Sequence, residues 1–179
     1  MHGIVSLLDE SLGIRVQALW DGLEQECGLA GIKITPIPHF SWQIAVDYKF
    51  ARLESTLRSI ASETKPFPMR CSGLGLFTGE RPVLYIPVVR TEALSRFHRL
   101  VWERVWELSA SPSPFYSPDA WMPHITLAHG DLDSDNLHCA LEGLTARAFD
   151  WEGTVDNLSL VYQTQDQVGE LRYRLNFGG

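Results

Sequence analysis

Cysteine is scarce in this chain of 179 residues. Cys27, Cys71 and Cys139 lie far apart, are odd in number and form no CxxC pair. Such a set suggests neither a disulfide framework nor a zinc site, and favours a reducing compartment. No apolar run approaches the roughly 20 residues that cross a bilayer, and the opening "MHGIVSLLDES" lacks the basic start and long core of a signal peptide. Basic residues are outnumbered: the formal net charge is −7 and the isoelectric point about 5.3. That balance disfavours a protein that grips long nucleic acid by neutralising phosphates, while a small anionic ligand in one local site stays compatible. Low-complexity tracts and charged tails are absent. These absences describe a cytoplasmic protein with no membrane partner and no extended nucleic-acid surface.

What the chain does have is apolar patterning along its whole length, 45% of its residues being hydrophobic, enough for one sizeable core or two small lobes sharing an interface. Residues 3–8 read as a strand. Residues 9–28 read as an amphipathic helix with Leu12, Val16, Leu19, Trp20 and Leu23 on one face and Gly28 as its stop. A strand at 39–47, a helix at 50–64 and an extended stretch at 67–77 follow. Next come a strand at 83–89 and a long helix capped by Thr91 with Leu94, Phe97, Val101 and Val105 in one stripe. Residues 111–123, "SPSPFYSPDAWMP", form an open proline-rich loop. A strand at 124–129, a helix at about 134–148 and strands near 151–162 and 170–177 complete the chain.

The order of elements repeats. "GLGLF" at 73–77 is answered 84 residues later by "NLSLV" at 157–161, and Phe67 by Trp151 at the same offset. This self-similarity describes an α+β fold of antiparallel sheets and flanking helices. It forms one bilobal domain over 1–179, with repeats of about 1–80 and 81–179 related by a pseudo-two-fold axis around a central cleft.

Within the repeat, "IPHFSWQIA" (37–45) and "MPHITLAHG" (122–130) each write Pro-His-apolar-hydroxyl. Strand alternation puts His39, Ser41 and Gln43 on one face, and Phe40, Trp42, Ile44 and Val46 on the other. It likewise puts His124, Thr126 and Ala128 together, with His129 on the opposite face. Small residues at Gly75 and Ser159 leave room if their strands are neighbours. Two imidazoles and two hydroxyls around one cleft suit phosphate-ester chemistry without a metal or other cofactor. A neutral imidazole takes a proton from water, and a protonated one delivers a proton to the leaving oxygen. Hydroxyls donate to the non-bridging oxygens.

The paired "HFS" and "HIT", one in each half of a duplicated α+β chain, resemble the 2H phosphoesterase superfamily, which includes 2'-5' RNA ligases and cyclic nucleotide phosphodiesterases. The resemblance implies catalytic histidines at His39 and His124 and phosphate-binding hydroxyls at Ser41 and Thr126, with Ser41 standing where Thr is commoner. It also implies two lobes facing across a cleft, and action on a 2',3'-cyclic phosphate or a 2'-5' phosphodiester of a nucleotide or short RNA end. A duplicated chain completes such a site as a monomer.

Other readings stay open. A non-catalytic nucleotide or RNA-end binding module would use the same cleft. A histidine-triad hydrolase would need a histidine where Thr126 stands, and a metal site from His39, His124 and His129 lacks an acidic or thiol neighbour. Phe115, Tyr116 and Trp121 are candidates to stack a nucleobase, or else to anchor their loop, with Trp121 nearest His124 in sequence. Tyr85 and Tyr173 are strand tyrosines that can reach the cleft. Arg172 and Arg174 share a strand face that attracts phosphate or protects an edge. His2, His98 and His138 read as terminal or helix-surface residues.

Overall fold

Hydrophobic periodicity places every helix where the sequence pattern locates one. The computed structural model describes residues 1–163 and 168–178. In chain order its first half contains β1 (His2–Leu7), α1 (Glu10–Cys27), β2 (His39–Tyr48), α2 (Phe50–Glu63), β3 (Phe67–Cys71) and β4 (Gly75–Phe77). The second half contains β5 (Val83–Pro87), α3 (Glu92–Val105), β6 (Ser109–Pro112), β7 (His124–His129), α4 (Ser134–Leu144), β8 (Trp151–Val155), β9 (Asn157–Tyr162) and β10 (Glu170–Asn176). Asp9 caps α1 by accepting from the Leu12 amide, and Gly28 ends it in the left-handed region at φ 70°. Thr91 caps α3 through the Leu94 amide. The proline-rich stretch is less open than its composition implies. It begins as β6, an edge strand on β2, and continues into a short 3-10 turn over Pro114–Tyr116.

The sheets reveal how the repeats are joined. One sheet runs β10-β9-β1-β2-β6 and another β4-β5-β7. The trio β9-β1-β2 therefore has the same plan as β4-β5-β7, but each trio takes its outer strand from the other half of the chain. The sequence halves are not the lobes; the two repeats exchange a strand. The extended stretch 67–77 turns at Gly73, so that β3 and β4 serve different sheets.

The third sheet is the symmetry element itself. β3 pairs antiparallel with β8, Phe67 opposite Val155, Met69 opposite Gly153 and Cys71 opposite Trp151. At the 84-residue offset of the repeat, Trp151 is the counterpart of Phe67, Gly153 of Met69 and Val155 of Cys71. Each strand thus pairs with its own equivalent, and the pseudo-two-fold axis passes between Met69 and Gly153. The core lies between the sheets and the helices, with Ile4, Phe40, Trp42, Leu53, Leu57, Ile125 and Leu160 all buried. No helix among the described residues is long and apolar enough to cross a membrane.

The cysteines correct the sequence reading. Cys27, at the end of α1, and Cys139, in α4, form a disulfide that ties the two packed helices together. With a sequence separation of 112, the pairing is fixed by tertiary packing and not by local spacing. The argument from unpaired cysteines for a reducing compartment falls with it. Cys71 is the buried free thiol, its pKa pushed up to about 12 by burial. Closing a loop of this length restricts the unfolded chain, which in the chain-entropy account is worth roughly 4–5 kcal/mol. Cys27→Ser with Cys139→Ser should therefore lower the denaturant midpoint of the oxidised protein towards that of the reduced wild type, and reductant should leave the double variant unchanged.

Candidate active site

A β-bulge in each trio decides which side chains enter the cleft. In β1–β2 the register shifts so that Val5 opposes Ser41 while Ile4 opposes Gln43. In β5–β7 the equivalent shift puts Tyr85 opposite Thr126 and Leu84 opposite Ala128. The extra residues, Trp42 and Leu127, join their successors on the core side, and the alternation inverts beyond them. His39 and Ser41 share the cleft face as expected, but Gln43 turns into the core, fully buried with neither amide atom partnered among the described residues. Ile44 takes its place on the open side, and Val46 is 57% exposed. In β7, Ala128 joins the core, while His129, opposite Val83, comes round to the face of His124 and Thr126. Strict alternation places Gln43, Ala128 and His129 on the wrong faces because it cannot see a bulge.

The two histidines are held in the same way. Nδ1 of His39 lies 2.5 Å from the carbonyl of Ile37, and Nδ1 of His124 lies 2.7 Å from that of Met122. Each imidazole therefore donates from Nδ1 to the residue two positions back, and this leaves Nε2 as the titrating nitrogen. The intervening Pro38 and Pro123 set the bend that brings carbonyl and ring together. Their own carbonyls accept from the Leu8 and Val88 amides at 3.1 and 2.9 Å, which ties each turn to the neighbouring strand end. Here is the physical use of the repeated Pro-His.

Both imidazoles are half-buried, and β2 and β7 contact one another directly. Burial lowers the pKa of His39; its bond to Ile37 opposes the shift, and the charge of His124 adds to it. Burial likewise lowers His124, against the bond to Met122. The structure thus brings both His/hydroxyl pairs into one neighbourhood in which the neutral imidazole is favoured. Among the described residues, no three His, Cys, Asp or Glu side chains gather into a metal-binding group.

Residues 15–167 match the family described as the 2'-5' RNA ligase superfamily. The chain belongs to that superfamily. A relative from Bacillus pumilus (strain SAFR-032), described as "Putative phosphoesterase", is 30% identical over 120 residues, covering 67% of this chain and 66% of the relative. Among solved structures, TT0787 of Thermus thermophilus shares 18% identity at a TM-score of 0.66, covering 99% of this chain and 98% of that one. E. coli LigT complexed with 3'-AMP shares 14% at 0.59, with the same coverage. These likenesses show that the α+β architecture of the chain is shared with both solved structures.

Against this superfamily fold, the aromatic candidates separate. Trp121 is not a platform for a base. It is 1% exposed, stacked on His98 at 3.9 Å and on Trp42 at 5.3 Å, and its Nε1 donates to the Ser41 carbonyl at 2.9 Å. Trp20 does the same for the other motif, donating to the Thr126 carbonyl at 3.0 Å. One indole thus fixes the backbone of each hydroxyl residue. Tyr116 lies with its phenol against the Ser41 hydroxyl, which eases a pKa that burial pushes up to about 12. Phe115 is 77% exposed. Tyr85 does reach the cleft face, its ring 5.1 Å from that of His124. Tyr173 does not: it lies on the α2 side, near Glu54 and Arg58. A further bulge separates the two arginines. Arg172 lies over Phe50 and Tyr162, and Arg174 pairs with Asp156.

His98 and His2 are buried, not surface residues; His138 is exposed beside Glu142. Sequence reasoning also missed Phe77, whose ring meets His124 edge-on at 5.0 Å. The signal was present in "GLGLF", where an aromatic stands two residues from a glycine on the same strand face.

Two outcomes follow from the Trp42–Trp121–His98 stack. Trp121→Ala should cost roughly 3–5 kcal/mol of stability, as large-to-small core changes do, without the rise in KM expected of a lost base platform; thermal melts and steady-state kinetics measured side by side check this. Burial holds the pKa of His98 down at about 4 against the opposing bonds to Trp42 and Tyr116. The unfolded chain therefore gains a proton near pH 6.5 that the folded chain refuses until about pH 4. Stability should be full above about pH 6.5 and fall through that window by up to about 1.4 kcal/mol per pH unit. Denaturant titrations at several pH values should show His98→Gln flattening the slope.

Proposed function

We propose that this member of the superfamily is a metal-independent phosphoesterase that opens 2',3'-cyclic phosphates, or cleaves 2'-5' phosphodiesters, of nucleotides or short RNA ends. The observation that carries the reading is the matched anchoring of His39 and His124, each tied by Nδ1 to a backbone carbonyl with Nε2 left to exchange protons. One neutral imidazole accepts a proton from the attacking water, while the other, protonated, supplies one to the departing oxygen. Ser41 and Thr126 donate to the non-bridging oxygens as negative charge builds there. The LigT structure that shares this fold is complexed with 3'-AMP, which supports a ligand of nucleotide size. A net charge of −7 supports a short substrate over long RNA. A single chain supplies both His/hydroxyl pairs, so we take the monomer as the working unit.

The sign of the pKa shifts fixes the shape of the pH profile. The base works above its pKa and the acid below its own, and burial draws both under the ordinary 6.5. The profile of kcat/KM on a nucleoside 2',3'-cyclic phosphate should therefore be bell-shaped with its maximum on the acid side of about 6.5, its limbs belonging to the coupled pair. His39→Ala and His124→Ala should each lose about 10²–10⁴-fold, and the double variant should be little worse than the worse single one. Ser41→Ala and Thr126→Ala should lose less, and EDTA should change nothing. A flat profile with wild-type turnover in His39→Ala would remove the acid–base pair, and nucleotide binding without any turnover by the wild type would leave a nucleotide-binding module as the better account.

A further inference from the structure

The duplication gives each cleft residue a counterpart, so any departure from symmetry marks where the two ends of the substrate differ. His39 and His124 correspond, as do Ser41 and Thr126. On the strands beneath them, Val5 corresponds to Tyr85, since they oppose Ser41 and Thr126 respectively. On the third strand of each trio Val161 corresponds to Phe77, at the 84-residue offset. The floor on the His39 side is therefore aliphatic, two valines, and on the His124 side it is an aromatic pair.

The aromatic pair has a space made for it. Phe77 and Tyr85 stack at 4.2 Å with their planes 28° apart. The Tyr85 ring fits because its strand partner is Gly75: a Cβ there would come within 2.4 Å of the ring. Phe77 stays half-buried on β4, an edge strand among the described residues, whereas the equivalent strand β9 is covered by β10 and Val161 is buried. Among the strand residues of the two trios, the half-buried aromatic beside a histidine thus lies on the His124 side alone; on the His39 side Tyr116 meets Ser41 through its phenol. Trp121 has no free face to compete for the role.

Building on the proposed phosphoesterase function, we infer that the nucleobase stacks on Phe77, and that this orients the cyclic phosphate with the ribose towards His124 and the attacking water towards His39. The water oxygen then bonds to phosphorus as the bond from phosphorus to one ribose oxygen breaks. Nε2 of His39 takes the proton from water, and Nε2 of His124 gives its proton to the ribose oxygen. The product is a single nucleoside monophosphate that carries the freed ribose hydroxyl, one water having been added. The electrostatics are compatible: burial lowers the pKa of His39 first, and the charge of His124 lowers it further. In this orientation His124 carries the proton and His39 is neutral when the substrate binds.

The test compares a nucleoside 2',3'-cyclic phosphate with methyl riboside 2',3'-cyclic phosphate, which lacks a base. Wild type should show a KM lower for the nucleoside by roughly 5- to 150-fold, the range of one base–aromatic stack. Phe77→Leu, which keeps apolar bulk without the ring, should collapse the ratio towards one. Phe77→Tyr should retain it, and Phe115→Ala should leave it intact. Cyclic substrates with sulfur at the scissile ribose position depart without a proton, and so should restore turnover to His124→Ala and not to His39→Ala. Equal KM values for the two substrates in wild type, or a ratio that survives Phe77→Leu, overturn the stacking; rescue of His39→Ala in place of His124→Ala overturns the orientation. Turnover of neither substrate by wild type defeats the cyclic-phosphate arm of the proposed function together with this inference.

Discussion

Each imidazole is tied through Nδ1 to a carbonyl two residues upstream, and the rest of the structure serves that bond. It selects the tautomer, aims Nε2, and needs a proline turn to bring ring and carbonyl together. The turns are held by the ends of β1 and β5, where Leu8 and Val88 donate to the proline carbonyls. Because the anchor is backbone and not a carboxylate, it adds no charge that would raise the pKa. Burial wins, and both imidazoles favour the neutral form.

The bulges complete the arrangement. A regular strand alternates, so a cleft face of functional residues would continue along its whole length. The shifts at Trp42 and Leu127 interrupt that face after the hydroxyl residue and send two consecutive side chains into the core. Trp42 uses this to join Phe97, His98 and Trp121 in the packing beneath the site. The site's precision is thus inherited from the core, through Trp121 on one motif and Trp20 on the other.

Much of this was legible in the sequence. Helix caps at Thr91 and Gly28 and the amphipathic stripes follow from local rules of spacing and side-chain chemistry, and the paired Pro-His motifs at matching places in the repeat carry the family resemblance. What was not legible shares one cause. The faces of Gln43, Ala128 and His129, the Cys27–Cys139 pairing, the burial of His98 and the strand exchange all depend on partners distant in sequence. Trp121 illustrates the limit: its place in the chain leaves a base platform and a loop anchor both open, and its neighbours in space make it a support.

The most direct test of the central claim is a nitrogen-15 NMR titration of the histidine rings. With His39 and His124 assigned, both should appear as the Nδ1–H tautomer at neutral pH, and addition of a nucleoside 2'-monophosphate should shift the Nε2 signal of both together. An Nε2–H tautomer at either position, or a response confined to one ring, would contradict a single phosphate site flanked by two backbone-anchored imidazoles.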